Sequence, residues 1–130
     1  MLDITYDAFY QISMNVAAAL HLDDSFWRIG YQCQFDKARS WLFSFTFTVL
    51  KELADAECIY VIALYFSIDC LETLYDIQQK LRDSWIELRG SQTDLHRDSF
   101  RCIPCLNDSD AHVEVLRHVI LNDVYVSPLT

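Results

Sequence analysis

Between residues 26 and 50 the side chains alternate in polarity with a period of two, and this feature narrows the possible folds most. Trp27, Ile29, Tyr31, Cys33 and Phe35 alternate with Arg28, Gly30, Gln32 and Gln34. Successive side chains of a strand point to opposite faces, so the run predicts a half-buried strand over 26–35. Trp41, Phe43, Phe45, Phe47 and Val49 repeat the pattern over 41–50, with Ser44, Thr46 and Thr48 on the other face. Asp36-Lys37-Ala38-Arg39 between the two runs reads as a polar reversal, which predicts a hairpin. Residues 51–57 are charged and helix-favouring, and predict a turn or one helical turn. Residues 58–68, CIYVIALYFSI, are apolar on both faces and rich in β-branched and aromatic side chains. Such a run fits a buried strand or a buried helix, and the composition favours a third strand, one that needs cover on both sides.

Helical spacing flanks these runs. Ile4, Phe9, Ile12, Val16, Ala19 and Leu20 predict a helix over 4–20, with Asp3 as its cap. Cys70, Leu74, Ile77, Leu81, Trp85 and Leu88 line one stripe of a helix over 70–89. Asp69 and Glu72 have the spacing of a capping box, and Gly90 suits the residue after the last turn. Phe100 to Leu106 reads as a short extended segment. Asp108, Ser109 and Asp110 then open a C-terminal helix carrying Val113, Leu116, Val119 and Ile120, which Asn122 can end; Val124-Tyr125-Val126 reads as a last short strand. The expected fold is α+β: an N-terminal helix, a three-stranded antiparallel meander, a long helix, a short extended segment and a C-terminal helix. The whole of 1–130 is expected to be a single globular domain. Hydrophobic residues at 52% supply a core, and two glycines and two prolines leave little room for irregular chain.

Charge excludes some partners. Nineteen acidic against ten basic residues give a formal net charge of -9, which repels nucleic acid and steers in a basic protein. The helix–meander–helix order is shared with double-stranded-RNA-binding domains, but here the second helix sets Glu72, Asp76, Asp83 and Glu87 against Lys80, Arg82 and Arg89. That helix lacks the basic surface such recognition requires, and order alone carries no function. The opening MLDITYDAF has no basic segment followed by an apolar one, so no signal peptide is expected. The longest apolar run, Cys58 to Phe66, is too short to span a bilayer. Five cysteines, three of them inside predicted elements, read as reduced thiols, which points to the cytoplasm.

Motifs for catalysis are missing: there is no G-x-S-x-G, no glycine-rich phosphate loop and no H-E-x-x-H. Asp69, beside the apolar strand, reads as a cap. Cys102 and Cys105, with Ile103 and Pro104 between them, could grip a zinc ion completed by His112 and His118. The two histidines are six residues apart and fall on different faces of a helix, which opposes that set. A redox role for the same thiols would need the first at a helix start, and the predicted helix begins later. No other cofactor is expected. The sequence therefore predicts a non-enzymatic protein-binding module, first of all an inhibitor or immunity protein for a basic partner. Its contact residues would be the acidic Asp23, Asp24, Glu52, Asp55 and Glu57 and the aromatic Tyr60 and Tyr65. The alternatives are a homodimeric chaperone for a secreted protein and a small zinc-binding protein built on the two thiols.

Overall fold

The computed structural model describes residues 4–31, 46–90 and 99–122. Helix α1 (Ile4–Ala19) is followed by a 3-10 turn (Asp24–Phe26), α2 (Thr46–Glu52) and strand β1 (Ile59–Ile62). A π-helical segment (Glu72–Leu81) runs directly into α3 (Arg82–Leu88), and β2 (Phe100–Ile103) and α4 (Asp110–Leu121) complete the order. Helices and strands are mixed, as expected, but the antiparallel meander is not present among the described residues.

β1 and β2 pair in parallel, with Ile59 opposite Phe100 and Ile62 opposite Ile103. A parallel pair needs a crossover, and the helix over 72–88 supplies it. Ile59 and Phe100 are buried, and Val61 and Cys102 are half-buried on the same face. Tyr60, Ile62, Arg101 and Ile103 form the other, exposed face, where Arg101 lies 5.6 Å from the Tyr60 ring centroid. The core cluster is Leu50, Ile59, Trp85 and Phe100, with Leu53, Ala56, Leu81 and Leu88 packed around it. Burying a large apolar side chain contributes about 1.5–3 kcal/mol, so these four residues dominate what holds the described fold. Trp85 is 0% exposed and donates its indole N–H to Ser99 Oγ at 3.0 Å. Arg89 donates to the carbonyl oxygens of Ala54 and Ala56 and covers the Trp85 ring at 5.1 Å, tying the end of α3 to the chain entering β1.

Three predicted elements are corrected. In the 26–35 run, residues 27–30 are irregular and Tyr31 makes a lone bridge; 32–45, which hold Cys33, the reversal and the first half of the second run, lie outside the described residues. The end of the second run is helical: adjacent Val49 and Leu50 are both buried, and Leu53, four residues after the first and three after the second, shares their side of the helix, which is not a period of two. Gly30 allows 27–31 to run against this helix, because a Cβ there would lie 2.9 Å from Thr46 Cα. Third, the 58–68 run is a strand only over Ile59–Ile62, and its partner is parallel.

The helix ends match their sequence signals better. Ser109 caps α4 by accepting from the His112 N–H at 3.3 Å, and Asn122 closes it. Gly90 takes φ +74 after α3, the left-handed residue the helix end requires. The end of α1 uses His21, at φ 54, for the same purpose, with Leu22 N bonded to Ala17 O at 2.9 Å. Phe9 joins α1 to the chain beyond β1 through the Tyr65 ring, 3.8 Å between centroids. Asp3 and the 124–126 segment lie outside the described residues.

Candidate functional site

Parallel strands bring their carboxyl ends to one edge, where the following loops and helix starts gather and where ligands of such sheets bind. Here that edge collects residues 63–69 after β1, 104–109 after β2, and the starts of the π-helical segment and α4. A polar knot locks the two loops together. Asp69 and Asn107 exchange two hydrogen bonds: Asn107 Nδ2 donates to Asp69 Oδ2 at 2.7 Å, and the Asp69 N–H donates to Asn107 Oδ1 at 2.8 Å. Asp69 Oδ1 also accepts from the Cys105 N–H at 3.3 Å and lies 3.2 Å from the Thr73 hydroxyl. The buried Thr73 Oγ1 in turn accepts from the Cys70 N–H at 2.8 Å.

The expected capping box is therefore corrected. Asp69 binds across to the second loop, and Thr73, not Glu72, turns back onto the residue before the helix. Glu72 instead accepts from the Cys70 thiol at 3.0 Å. His112 Nδ1 lies 2.6 Å from the Asn107 carbonyl oxygen; a carbonyl only accepts, so that nitrogen carries the proton.

These contacts set the charges. The Asn107 amide, then the Cys105 thiol, hold the Asp69 carboxyl below its usual range, against an opposing effect of burial. The Cys70 thiol does the same for Glu72. Burial, reinforced by Asp69, pushes the Cys105 thiol up to about 11, and burial raises Cys102 as well. At neutral pH the edge thus presents two ionised carboxylates, one of them exposed on Glu72, beside a thiol at Cys105 that keeps its proton. Carboxylates so placed can attract a cation and accept protons. The ten-residue π-helical run starts at Glu72, and π geometry is rare and concentrates at functional sites.

The residues singled out from sequence do not assemble. Asp23 caps the 3-10 turn by accepting from Ser25 N at 3.2 Å, and Asp24 is exposed in that turn. Glu52, Asp55 and Glu57 are exposed on the amino-terminal side of β1, away from the knot. Tyr60 lies on the outer sheet face, and Tyr65 alone sits at the carboxyl edge. The proposed zinc ligands are not brought together either. His112 is committed to Asn107, and His118 is exposed with its Nδ1 3.2 Å from Asn122 Nδ2. Among the described residues, no group of three or more His, Cys, Asp or Glu is placed to hold a metal ion. Sequence reasoning missed Asn107 and reduced Asp69 to a cap. The available signal was that each follows an extended apolar segment and precedes a helix start.

A protein-family model described as Ferrochelatase matches residues 5–124, almost the whole chain. The chain belongs to the ferrochelatase family. It is 37% identical over 103 residues to a ferrochelatase of Xylella fastidiosa (strain M12), covering 78% of this chain and 29% of that protein. It is 32% identical over 107 residues to ferrochelatase 1 of Shewanella oneidensis, covering 81% of this chain and 30% of the relative. A ferrochelatase of Methylocella silvestris is 36% identical over 98 residues, 74% of this chain and 26% of that protein. The chain thus spans less than a third of the length of these ferrochelatases. No solved structure matches it. Membership in a family of enzymes overturns the expectation of a non-enzymatic binding module, whether inhibitor, immunity protein or chaperone. The polar knot around Asp69 is completed by Asn107 and Cys105 from a loop far off in sequence, where a search for local motifs does not reach. No described helix is long and apolar enough to cross a membrane.

Proposed function

We propose that this chain carries part of a ferrochelatase site, in which a divalent metal ion replaces the two inner N–H protons of a porphyrin. The family match over residues 5–124 carries this reading. The reaction releases two protons for each metal inserted, so a site for it needs groups that attract a cation and accept protons. The ionised Glu72, exposed where the π-helical segment begins, supplies the charge that attracts the cation, and Asp69 adds a second charge within the knot. Tyr65, 65% exposed at the same edge and backed by Phe9, offers an aromatic face to a flat macrocycle. The metal in this reading is a substrate.

The test is zinc insertion into a soluble porphyrin, followed by the change in porphyrin fluorescence. It is run with the chain itself and with the Shewanella oneidensis relative carrying this chain in place of its matching segment. Insertion above the protein-free rate by either protein, falling about 100-fold or more on Glu72→Gln, is the expected result. Failure of both proteins to bind or metallate the porphyrin overturns the reading, as does full activity in the Glu72→Gln variant.

A further inference from the structure

We infer that Asn107 is a positioning residue for the carboxyl edge, holding Cys70 and Glu72 in place through Asp69. The inference rests on the reading of that edge as the metal-insertion site. Asn107 uses every polar group it has. Its N–H donates to Ser67 O at 2.9 Å, and its carbonyl accepts from His112. Its side-chain amide makes the two bonds to Asp69. One residue therefore spans the loop after β1, the loop after β2 and the first turn of α4. Its φ of +48 is a conformation that asparagine, aspartate and glycine tolerate best.

The turn needs only that backbone angle; it does not need the amide to meet Asp69. The amide fixes the Asp69 backbone and carboxylate together, Asp69 orients Thr73, and Thr73 holds the Cys70 N–H. Cys70 then faces Glu72 with its thiol. The backbone and side-chain roles of Asn107 can be separated by substitution. Asn107→Gly keeps the angle and removes the amide. Asn107→Asp keeps angle and shape but sets a carboxylate against Asp69, where one of the pair must hold a proton for the contact to survive.

The readout is the rate at which each thiol reacts with 4,4′-dithiodipyridine between pH 5 and 8, resolved by peptide mass spectrometry. Cys102, on the core side of β2, controls for loosening of the whole fold. Asn107→Gly is expected to raise the Cys70 rate about tenfold at every pH and leave Cys102 unchanged. Asn107→Asp is expected to match Asn107→Gly at pH 8 and the native protein at pH 5. Unchanged Cys70 rates, rates for Cys70 and Cys102 that rise together, or Asn107→Asp behaving as native throughout would each overturn the inference. Porphyrin metallation is scored separately. Its loss in Asn107→Gly with Cys70 released supports the positioning role, and native metallation with Cys70 released overturns it. A native protein that never metallates a porphyrin removes the functional reading, while the thiol rates still decide whether Asn107 holds the edge.

Discussion

The indole N–H of Trp85 ends on the hydroxyl of Ser99, 3.0 Å away, at the residue just before β2. The crossover helix and the second strand are thus joined by a polar bond inside an apolar core. Ser99→Ala leaves the buried N–H without this acceptor and is expected to cost about 1–3 kcal/mol. Trp85→Ala removes the largest core side chain and is expected to cost about 3–5 kcal/mol. Urea unfolding followed by far-UV circular dichroism measures both. Equal midpoints for Ser99→Ala and the native chain would show that the bond contributes nothing.

Gly30 approaches the backbone of α2 more closely than any other residue type allows. A Cβ there would meet Thr46 Cα at 2.9 Å, and a backbone atom cannot swing aside as a side chain can. Gly30→Ala is expected to destabilise the chain by about 1–3 kcal/mol, read from the shift in thermal midpoint. A stabilised variant would mean that residues 27–31 do not run against α2.

Acid should weaken the knot around Asp69. Its carboxyl is depressed from the usual 3.8, chiefly by the Asn107 amide. A depressed carboxyl stabilises the fold above its unfolded value, and that contribution is lost as pH falls through the folded value. The stability difference between the native chain and Asp69→Asn should therefore be constant above about pH 5 and shrink below about pH 4. Urea midpoints measured across this range test it; a difference that grows in acid contradicts the assignment.

Cys105 should behave in the opposite sense. Burial first, and Asp69 second, raise its thiol from 9.0 to about 11, so the neutral form is favoured in the folded chain. Its contribution to stability is present below about pH 9 and lost as pH climbs toward 11. Alkylation by iodoacetamide at pH 8 should label the exposed Cys58 well before Cys105. Asp69→Asn should speed Cys105, because it removes the charge that opposes thiolate formation. Equal rates for the two thiols would contradict the raised value.

The helices were legible because their signals are local. The Ser109 cap and Gly90 at φ +74 each act within one or two turns, and the structure uses them as the sequence predicts; the apolar stripes marked where helices form but not which face is buried, since Ile12, Leu74, Val113, Leu116 and Ile120 are exposed. The strands were legible in type but not in extent or direction. Ile59 to Ile62 and Phe100 to Ile103 have the side chains of strands, but apolar spacing does not say whether two strands run together or opposed. With no glycine or proline after Ile62, the apolar Ala63, Leu64, Tyr65 and Phe66 read as more strand. The candidate site was the least legible part. Asp69 and Asn107 are 38 positions apart and meet only because β1 and β2 are parallel. Missing that direction hid the site.

Parallel pairing also orders events during synthesis. Ile59 to Ile62 emerge long before Phe100 to Ile103, and the whole crossover lies between them. Until the second strand is available, the first has no partner among the described strands, and Trp85 lacks both Phe100 and the Ser99 hydroxyl. The entropy of closing so long a loop must be met before any ladder bond forms, so assembly is slow compared with the helices on either side. A nascent chain arrested before Phe100 would carry an unmatched apolar strand, the state in which a chaperone or protease would most readily engage it.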